Sequence, residues 1–219
     1  DIFFLYIDRN LGDRGINLST VQLENDVISI LFDLLHAKKI VGNITSGGTE
    51  SNLIAMFLAK QNAPEISHPN IVVPASAHYS FEKAALLMGL ELRKAPLLSN
   101  FQVDTTALTN LIDHNTIAVV GIAGTSALGV VDPIPELAQI AQEHHIHFHV
   151  DGAFGGLVLP YLADLGVYHG PQFDFRVSGI DTFTVDPHKM GLNVSGTGGI
   201  LINPTRMNLH TFEIPYLAG

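Results

Sequence analysis

The sequence predicts an α/β domain in which a mainly parallel β-sheet is flanked by helices. Short apolar stretches alternate along the chain with stretches whose apolar residues recur at helical spacing, and this alternation is typical of a parallel sheet. Several of the short stretches are apolar throughout, which indicates strands that are covered on both faces. Of the 219 residues, 47% are hydrophobic and 15% are charged, a composition that favours a core-rich globular protein over a disordered one.

Helices are predicted from the spacing of apolar residues and from the residues that start and stop them. In the first helix, Val27, Leu31 and Leu34 lie on one face. Another helix follows Gly48, and a third ends at Gly89, since glycine is common just beyond a helix. The predicted helices comprise 21–35, the stretch after Gly48, 81–88, 106–112 and 133–143.

The predicted strands are short and rich in apolar, often β-branched residues. They comprise 71–74, 90–95, 117–123, 146–150, 180–185 and 199–202. In a sheet of this kind, ligands bind beyond the carboxyl ends of the strands, so the polar residues that follow each strand are the candidates for a site.

Composition excludes several classes of partner. Eleven Lys and Arg residues stand against 21 Asp and Glu, and the cations are scattered, so no basic patch for nucleic acid is present. The absence of Cys leaves no disulfide framework, and we therefore expect a cytoplasmic protein. The longest uncharged run, 115–131, contains Gly, Thr and Ser and is shorter than the roughly 20 apolar residues of a membrane-spanning helix.

A glycine-containing loop precedes the helix that follows Gly48. Residues 46–52 read Ser-Gly-Gly-Thr-Glu-Ser-Asn, and the glycines let the backbone approach a ligand closely. The free N–H groups at a helix start favour an anion such as phosphate. The loop is neither a P-loop nor a dinucleotide fingerprint, and when it is taken alone an ordinary turn with a helix cap is the favoured explanation.

Lys189 follows the predicted strand 180–185 and is flanked by Asp186 and His188. A lysine at the mouth of a covered sheet is partly desolvated, which favours the free amine that forms a Schiff base with a carbonyl group. The alternative is a surface lysine after a turn. The neighbouring His188 and Asp186 favour the functional interpretation.

Three further strand ends carry polar residues. Asp151 follows the strand 146–150, and a pyridoxal cofactor needs a carboxylate beside its ring nitrogen, although Asp at such a position also caps turns. Ala153, two residues later, suits close contact with a flat ring. His78 begins the helix after the strand 71–74 and could cover an aromatic ligand, while Thr125 supplies a hydroxyl after the strand 117–123.

A rival hypothesis is a metal site. His145, His147, His149 and Asp151 alternate along one strand and would project to a single face, as metal ligands do in some hydrolases. The strand is expected to be covered on both sides. We therefore favour the interpretation that these histidines pack under a helix or face solvent near the start of the strand.

Taken together, five ordered segments resemble the large domain of the group II pyridoxal-phosphate-dependent decarboxylases. The similarity runs from about Asn10 to Pro204 and is greatest to the archaeal-type tyrosine/aspartate decarboxylase branch; glutamate and aromatic amino acid decarboxylases and sphingosine-phosphate lyase are more distant. The segments are 46–52, 77–83, 124–132, 150–156 and 186–191. The resemblance implies the fold of the PLP-dependent transferases (fold type I), pyridoxal 5′-phosphate as cofactor and a carboxy-lyase that acts on L-tyrosine, L-aspartate or L-glutamate.

The resemblance also implies roles for individual residues. Lys189 would form the Schiff base with the cofactor, Asp151 would pair with the pyridine nitrogen and His78 would stack on the ring, while His188 would line the cofactor among the catalytic groups. The residues implied to complete the cofactor site are Gly48 and Thr49 at the phosphate, Ala153 on the opposite face of the ring, and Thr125.

The sequence departs from the family pattern at two positions. Gly152 stands where such enzymes usually have Ala, which could loosen the turn that aims Asp151, and Arg14 stands where a similar loop tends to continue with Pro. From the resemblance we expect residues 1–219 to be a cofactor-binding large domain without an N-terminal segment and a C-terminal small domain. Related enzymes are homodimers with the active site at the interface. The alternatives are a carbon–carbon lyase of the sphingosine-phosphate type and a catalytically incomplete cofactor-binding fragment.

Overall fold

The computed structural model describes residues 17–207, which form one seven-stranded sheet with helices on both faces. The helices of this part of the chain are α1 Leu18–Leu34, α2 Gly48–Gln61, α3 Ser80–Met88, α4 Thr105–Thr109, α5 Ile134–Glu143 and α6 Leu159–Asp164. The strands are β1 Val41–Thr45, β2 Asn70–Pro74, β3 Glu91–Ala95, β4 Thr116–Ile122, β5 His147–Gly152, β6 Thr182–Val185 and β7 Gly198–Ile202. Asn10 and Arg14, on which parts of the sequence interpretation depend, lie outside the described residues.

The sheet is mainly parallel, as predicted. Its strand order is β1-β7-β6-β5-β4-β2-β3, and the neighbouring pairs from β3 through β6 are all parallel. Strand β7 is antiparallel to both β6 and β1. The carboxyl ends of β2, β4, β5 and β6 therefore meet at one edge of the sheet, which is where parallel α/β sheets bind their ligands.

Local sequence explains most of the elements. In α5, the residues Leu137, Ala138 and Ala141 are buried at helical spacing, while Glu136 and Glu143 face outward. Helix α3 ends at Gly89, which adopts the left-handed conformation (φ 65°) that the predicted stop requires.

Two apolar clusters cover the two faces of the sheet. One joins α1 and α5 to the face that carries Phe148, Val150 and Phe183. The other joins α2 and α3 to the opposite face, with Met56 and Phe81 against the residues of β2 and β4. Both faces of the central strands are therefore buried, as the apolar composition of β2 and β4 indicates.

The structure corrects the prediction in four places. Strand β1 and helix α6 were not predicted, because neither shows a clear apolar period. The predicted helix 106–112 is shorter and is observed as Thr105–Thr109, capped by Asp104, whose side chain accepts a hydrogen bond from the Ala107 N–H at 2.9 Å. Strand β6 begins at Thr182, and the threonines in it make one of its faces polar.

Candidate active site

A cavity of about 250 Å³ opens at the carboxyl edge of the sheet. It is bounded by the loop before α2, the start of α3 and the segments that follow β4, β5 and β6. Every site residue predicted from the sequence lines this cavity: Gly48, Thr49, His78, Thr125, Asp151, Ala153, His188 and Lys189. The fold thus brings together residues that are up to 141 positions apart in the printed sequence, from Gly48 to Lys189.

Lys189 lies in the loop that follows β6, beside a buried carboxylate. Its Nζ is 3.0 Å from Oδ2 of Asp186, and Nε2 of His188 is 3.5 Å from the same oxygen. Asp186 is 1% exposed, and neither of its oxygens has a hydrogen-bond partner of good geometry. A buried anion is costly unless it is paired, so the amine of Lys189 is the main compensation for Asp186.

His188 fixes the base of the same loop. The backbone N–H of His188 donates to the Thr197 carbonyl at 3.2 Å, and the ring Nδ1 of His188 accepts from the backbone N–H of Thr197 at 3.1 Å. Both ends of the loop are therefore tied together at the residue next to Lys189, which limits the positions that the amine can take.

The loop before α2 needs glycine for conformation and for space. Gly47 has a φ of 144°, which side chains rarely adopt, and a Cβ there would lie 3.0 Å from Cε1 of His188. A Cβ on Gly48 would lie 2.7 Å from Oδ2 of Asp186. The amino end of α2, with Gly48 and Thr49, therefore lines the cavity next to Asp186.

Asp151 is the buried carboxylate of β5, and both of its oxygens accept hydrogen bonds. Its Oδ1 accepts from the Ala153 N–H at 3.0 Å, and its Oδ2 accepts from Nδ2 of Asn52 at 2.9 Å. Burial raises the pKa of Asp151, while the hydrogen bonds from Ala153 and Asn52 and the charge of Lys189 oppose that rise. The carboxylate is held in one orientation at the wall of the cavity.

His78 lies on the other side of the cavity, at the start of α3. Its Nδ1 accepts from the Ser80 N–H at 3.3 Å, and its ring centroid is 4.2 Å from that of Tyr79. Desolvation lowers the pKa of His78, and the nearby Asp151 works in the opposite direction. At neutral pH the ring is thus mainly uncharged, which suits contact with a flat aromatic ligand.

Thr125 stabilises the loop that follows β4. Its N–H donates to the Val130 carbonyl at 2.9 Å, and its Oγ1 accepts from the Val130 N–H at 3.1 Å. The predicted hydroxyl is therefore present at the cavity, but it also serves to close its own loop.

Gly152 has a steric role that the sequence did not reveal. A Cβ on Gly152 would overlap the ring of Phe183, which is fully buried on the neighbouring strand. The space that an alanine methyl group would take is filled here by the phenylalanine. Asp151 beside it remains fixed by its own two hydrogen bonds.

The histidines of the rival metal hypothesis are used in another way. His145 precedes β5 in a turn (φ 56°) and is exposed, so it does not share the face of His147 and His149. Both buried histidines bond to the Thr182 hydroxyl, His147 through Nε2 and His149 through Nδ1, each at 2.8 Å. Among residues 17–207, no cluster of three or more His, Cys, Asp or Glu side chains could hold a metal ion.

Asn52 is the contact residue that sequence reasoning missed. It is 1% exposed and lies on α2, one turn beyond Gly48. Besides Asp151 it contacts Nε2 of His149 at 3.0 Å and the Ser80 hydroxyl at 3.0 Å. The only sequence signal was its place within the 46–52 motif, and its partners are 97 and 99 residues away in the chain.

Two larger cavities, of about 630 and 640 Å³, lie elsewhere. The first is at the amino edge of the strands, around His144 and Arg206, and the second is beside His36 and Arg176. Their cations are largely paired, Arg206 with Asp181 and Arg176 with Asp174. Size therefore does not select the site, and the chemistry of the lining residues does.

Comparison with known proteins supplies the family of this arrangement. The model of the "Pyridoxal-dependent decarboxylase conserved domain" matches residues 4–218. A "Probable L-aspartate decarboxylase" of Pyrococcus abyssi is 45% identical over 100% of this chain and 57% of its own length. A "Probable L-tyrosine/L-aspartate decarboxylase" of Methanothermobacter thermautotrophicus is 45% identical over 97% of this chain and 58% of its own length.

Solved structures agree with the fold. The sphingosine-1-phosphate lyase of Burkholderia pseudomallei superposes with a TM-score of 0.83 at 34% identity, over 87% of this chain and 46% of the lyase. The glutamate decarboxylase of Lactobacillus brevis gives a TM-score of 0.80 at 23% identity, over 92% of this chain and 49% of that enzyme. The chain thus spans little more than half the length of the relatives that it matches.

Proposed function

Because the chain belongs to the pyridoxal-dependent decarboxylase family, we propose that it serves the removal of CO2 from the α-carbon of an L-amino acid with pyridoxal 5′-phosphate as cofactor. The observation that carries the proposal is that one cavity contains all three groups that the cofactor needs. They are the amine of Lys189, the buried carboxylate of Asp151 and the anion cradle at Gly48. Each of the three groups suits one part of the cofactor: its aldehyde, its ring nitrogen and its phosphate.

The residues of the cavity fit this cofactor. The amino end of α2 at Gly48 and Thr49 offers N–H groups to the phosphate, and the glycines leave room for it. Ala153 and His78, on the cavity lining, are suited to the two faces of a flat ring. Thr125 and His188 complete the lining, and we assign them to contact with the cofactor.

When bound, pyridoxal phosphate supplies an electron sink that accepts the electron pair released as the bond to the carboxyl group breaks. Lys189 would hold the cofactor at its aldehyde through the amine. Oδ2 of Asp186, 3.0 Å from Nζ of Lys189, keeps that amine in place at the cavity. Asp151 would keep a proton on the ring nitrogen, because its carboxylate is buried and fixed by Ala153 and Asn52.

The names of the relatives support a proposal about the substrate class. They are named for L-aspartate, L-tyrosine/L-aspartate and L-aspartate/L-glutamate decarboxylation. We therefore propose an acidic L-amino acid or L-tyrosine as substrate. The more similar relatives are decarboxylases at 41–45% identity, and the lyase structure is 34% identical, which favours decarboxylation over a sphingosine-phosphate type of cleavage.

We further propose a cytoplasmic homodimer with the active site at its interface and without nucleic acid or membrane partners. Support for the dimer comes from the outer face of α1, where Leu23, Val27 and Ile30 are 48%, 39% and 65% exposed at helical spacing. No helix of the described residues is long and apolar enough to cross a membrane. Sedimentation of the complete gene product measures its assembly state.

The test uses the complete gene product, loaded with pyridoxal phosphate and supplied with L-aspartate, L-tyrosine and L-glutamate. CO2 and the corresponding amine are expected from at least one of them. Borohydride reduction followed by peptide mass spectrometry is expected to find the pyridoxyl group on Lys189. Lys189→Ala should lose the adduct and at least about a hundredfold in turnover, the lower range of a general acid–base contribution.

Lys94→Ala is the matched control, since Lys94 is exposed and its ion pair within residues 17–207 is with Glu82. It should retain both the adduct and the turnover. A pyridoxyl group found on another lysine, or undiminished CO2 release by Lys189→Ala, contradicts the proposal.

A further inference from the structure

We propose that Asn52 and His149 are positioning residues for Asp151, which they hold in one orientation towards the cavity through a one-way chain of buried hydrogen bonds. The inference rests on the proposed function, in which Asp151 pairs with the ring nitrogen of the cofactor. It assigns to the histidine-rich strand β5 the role of supporting a carboxylate.

The direction of the chain follows from what each group can donate. A carboxylate only accepts, so the group of Asn52 that faces Oδ2 of Asp151 at 2.9 Å is its NH2. The same NH2 lies 3.0 Å from the Ser80 hydroxyl, which accepts its second proton. The carbonyl oxygen of Asn52 therefore faces His149 and needs a donor.

His149 supplies that donor. Its Nε2 lies 3.0 Å from Oδ1 of Asn52, so the proton of the ring is on Nε2. Nδ1 is then an acceptor, and it receives the hydroxyl proton of Thr182 at 2.8 Å. The hydroxyl oxygen of Thr182 accepts in turn from Nε2 of His147 at 2.8 Å. The four hydrogen bonds that link His147 to Asp151 therefore point the same way. The Thr184 hydroxyl is a second, longer contact of Nε2 of His149, at 3.5 Å.

Burial keeps the chain in this state. His149 is fully buried, and desolvation, with His147 as a second cause, lowers its pKa to about 3, so its ring is neutral at physiological pH. Desolvation lowers the pKa of His147 as well, with Asp181 opposing and Arg206 adding to that effect. The histidines thus contribute directed N–H groups without placing a positive charge in the core that would compete with the cofactor for Asp151.

This chain of hydrogen bonds fixes which atom carries each proton, but it does not conduct protons. The amide of Asn52 lies between His149 and Asp151, and an amide does not exchange its two roles as a hydroxyl does. Its effect on chemistry is therefore exerted through the orientation and charge of Asp151. Ala153 N–H is the other donor to Asp151, and Lys189 and His78 are the charged or titratable groups on its cavity side.

The chain contains a matched arrangement away from the site. Asn70 is also fully buried, donates to a carboxylate (Oδ1 of Asp113, 2.8 Å) and accepts from a neighbouring hydroxyl (Thr116, 2.8 Å). It lies at the amino end of β2, at the opposite edge of the sheet. Asn70→Leu therefore removes the same kind of buried amide without touching the cavity.

The experiment loads the complete gene product with pyridoxal phosphate that carries an isotope label at the ring nitrogen and follows the NMR shift of that nitrogen. In the wild type and in Asn70→Leu, the nitrogen should be protonated at neutral pH. In Asn52→Leu and in the smaller Asn52→Ala, the shift should move towards that of the unprotonated ring. Turnover should fall about ten- to a hundredfold, the loss of one hydrogen bond to a charged group, with KM changed about twofold or less.

The outcomes distinguish a failure of the proposed function from a failure of this inference. If the wild type takes up no cofactor on Lys189, the proposed function fails and takes this inference with it. If it does, and both Asn52→Leu and Asn52→Ala keep the wild-type nitrogen shift, this inference alone is overturned; the same holds if Asn70→Leu shifts the signal equally.

A measurement on the wild type needs no variant. Imidazole NMR of the labelled protein should show His149 as the neutral Nε2–H tautomer. A ring protonated on Nδ1 would reverse the chain and overturn the proposal.

Discussion

The two faces of strands β5 and β6 differ although both are buried. On the face towards α1 and α5, the side chains are Phe148, Val150, Phe183 and Val185. On the face towards α2, the alternating positions carry His147, His149, Asp151, Thr182 and Thr184. Because the strands are parallel and in register, each apolar pair and each polar pair lies side by side.

The difference shows that this fold buries its polar side chains on the face of β5 and β6 that lies towards α2. A polar side chain in a core is tolerated only when its hydrogen bonds are made. On the polar face, His147 and His149 share the Thr182 hydroxyl, and the chain continues through Asn52 to Asp151. The apolar face holds the sheet to its helices, and the polar face supports the edge at which the cavity opens.

The largest effect is expected from removing a ring on the apolar face. Phe148→Ala should lower the free energy of unfolding by about 3–5 kcal/mol, because it removes a fully buried ring and leaves a cavity. Denaturant unfolding of the apo protein measures it. Cofactor uptake per folded molecule should stay unchanged, and a variant that folds normally but no longer takes up cofactor would contradict the division between the two faces.

A smaller loss is expected where the apolar face meets the site. Gly152→Ala should cost about 1–3 kcal/mol, since the added methyl group overlaps the ring of Phe183. The measurement is again the free energy of unfolding.

A double-mutant cycle with Phe183→Leu is the control for Gly152→Ala. The smaller side chain makes room for the methyl group, so Gly152→Ala should be less destabilising in the Phe183→Leu background. Equal costs in both backgrounds would show that Phe183 does not limit this position.

The smallest effect is a dependence of stability on pH that belongs to the polar face. The pKa of His149 is about 3 in the folded state, below its ordinary value of 6.5, so the unfolded chain takes up a proton first as the pH falls. Its contribution to stability is complete above 6.5 and decreases below it. Between pH 7.5 and pH 5.5 the loss should be about 1.4 kcal/mol.

His149→Gln isolates this effect. Its free energy of unfolding should fall less over the same pH range by about 1.4 kcal/mol. His147, whose pKa burial also lowers, continues to contribute with the same sign in the variant. An identical pH dependence in both proteins would mean that His149 is charged in the core.

Local pattern predicted the sheet and the edge of it at which the candidate site residues meet. Lys189, Asp151 and His78 were identified because each follows or precedes an apolar segment, and parallel strands bring such ends to one edge. Strand β1 was missed because Gly42 and Asn43 break its apolar pattern, although Gly42 is needed: a Cβ there would lie 2.9 Å from the Ile200 carbonyl oxygen.

The polar chain could not be predicted, because its links join distant parts of the sequence. Asn52 and His149 are 97 residues apart, and neither has a local feature that names the other. The histidines on alternate positions suggested a metal instead, since sequence spacing shows only that side chains share a face. Which of their ring nitrogens are already occupied depends on Thr182 in the next strand.

The double tie between His188 and Thr197 has a practical consequence for engineering. Within the loop that this tie closes, residues 190–196 are all exposed, and Leu192 is 90% exposed. The inner part of this loop is packed, since a Cβ on Gly191 would lie 2.6 Å from the Pro187 carbonyl oxygen. The exposed side chain of Leu192 is therefore the suitable place for a reporter group, whereas Gly191 has to be kept in any library that varies the loop.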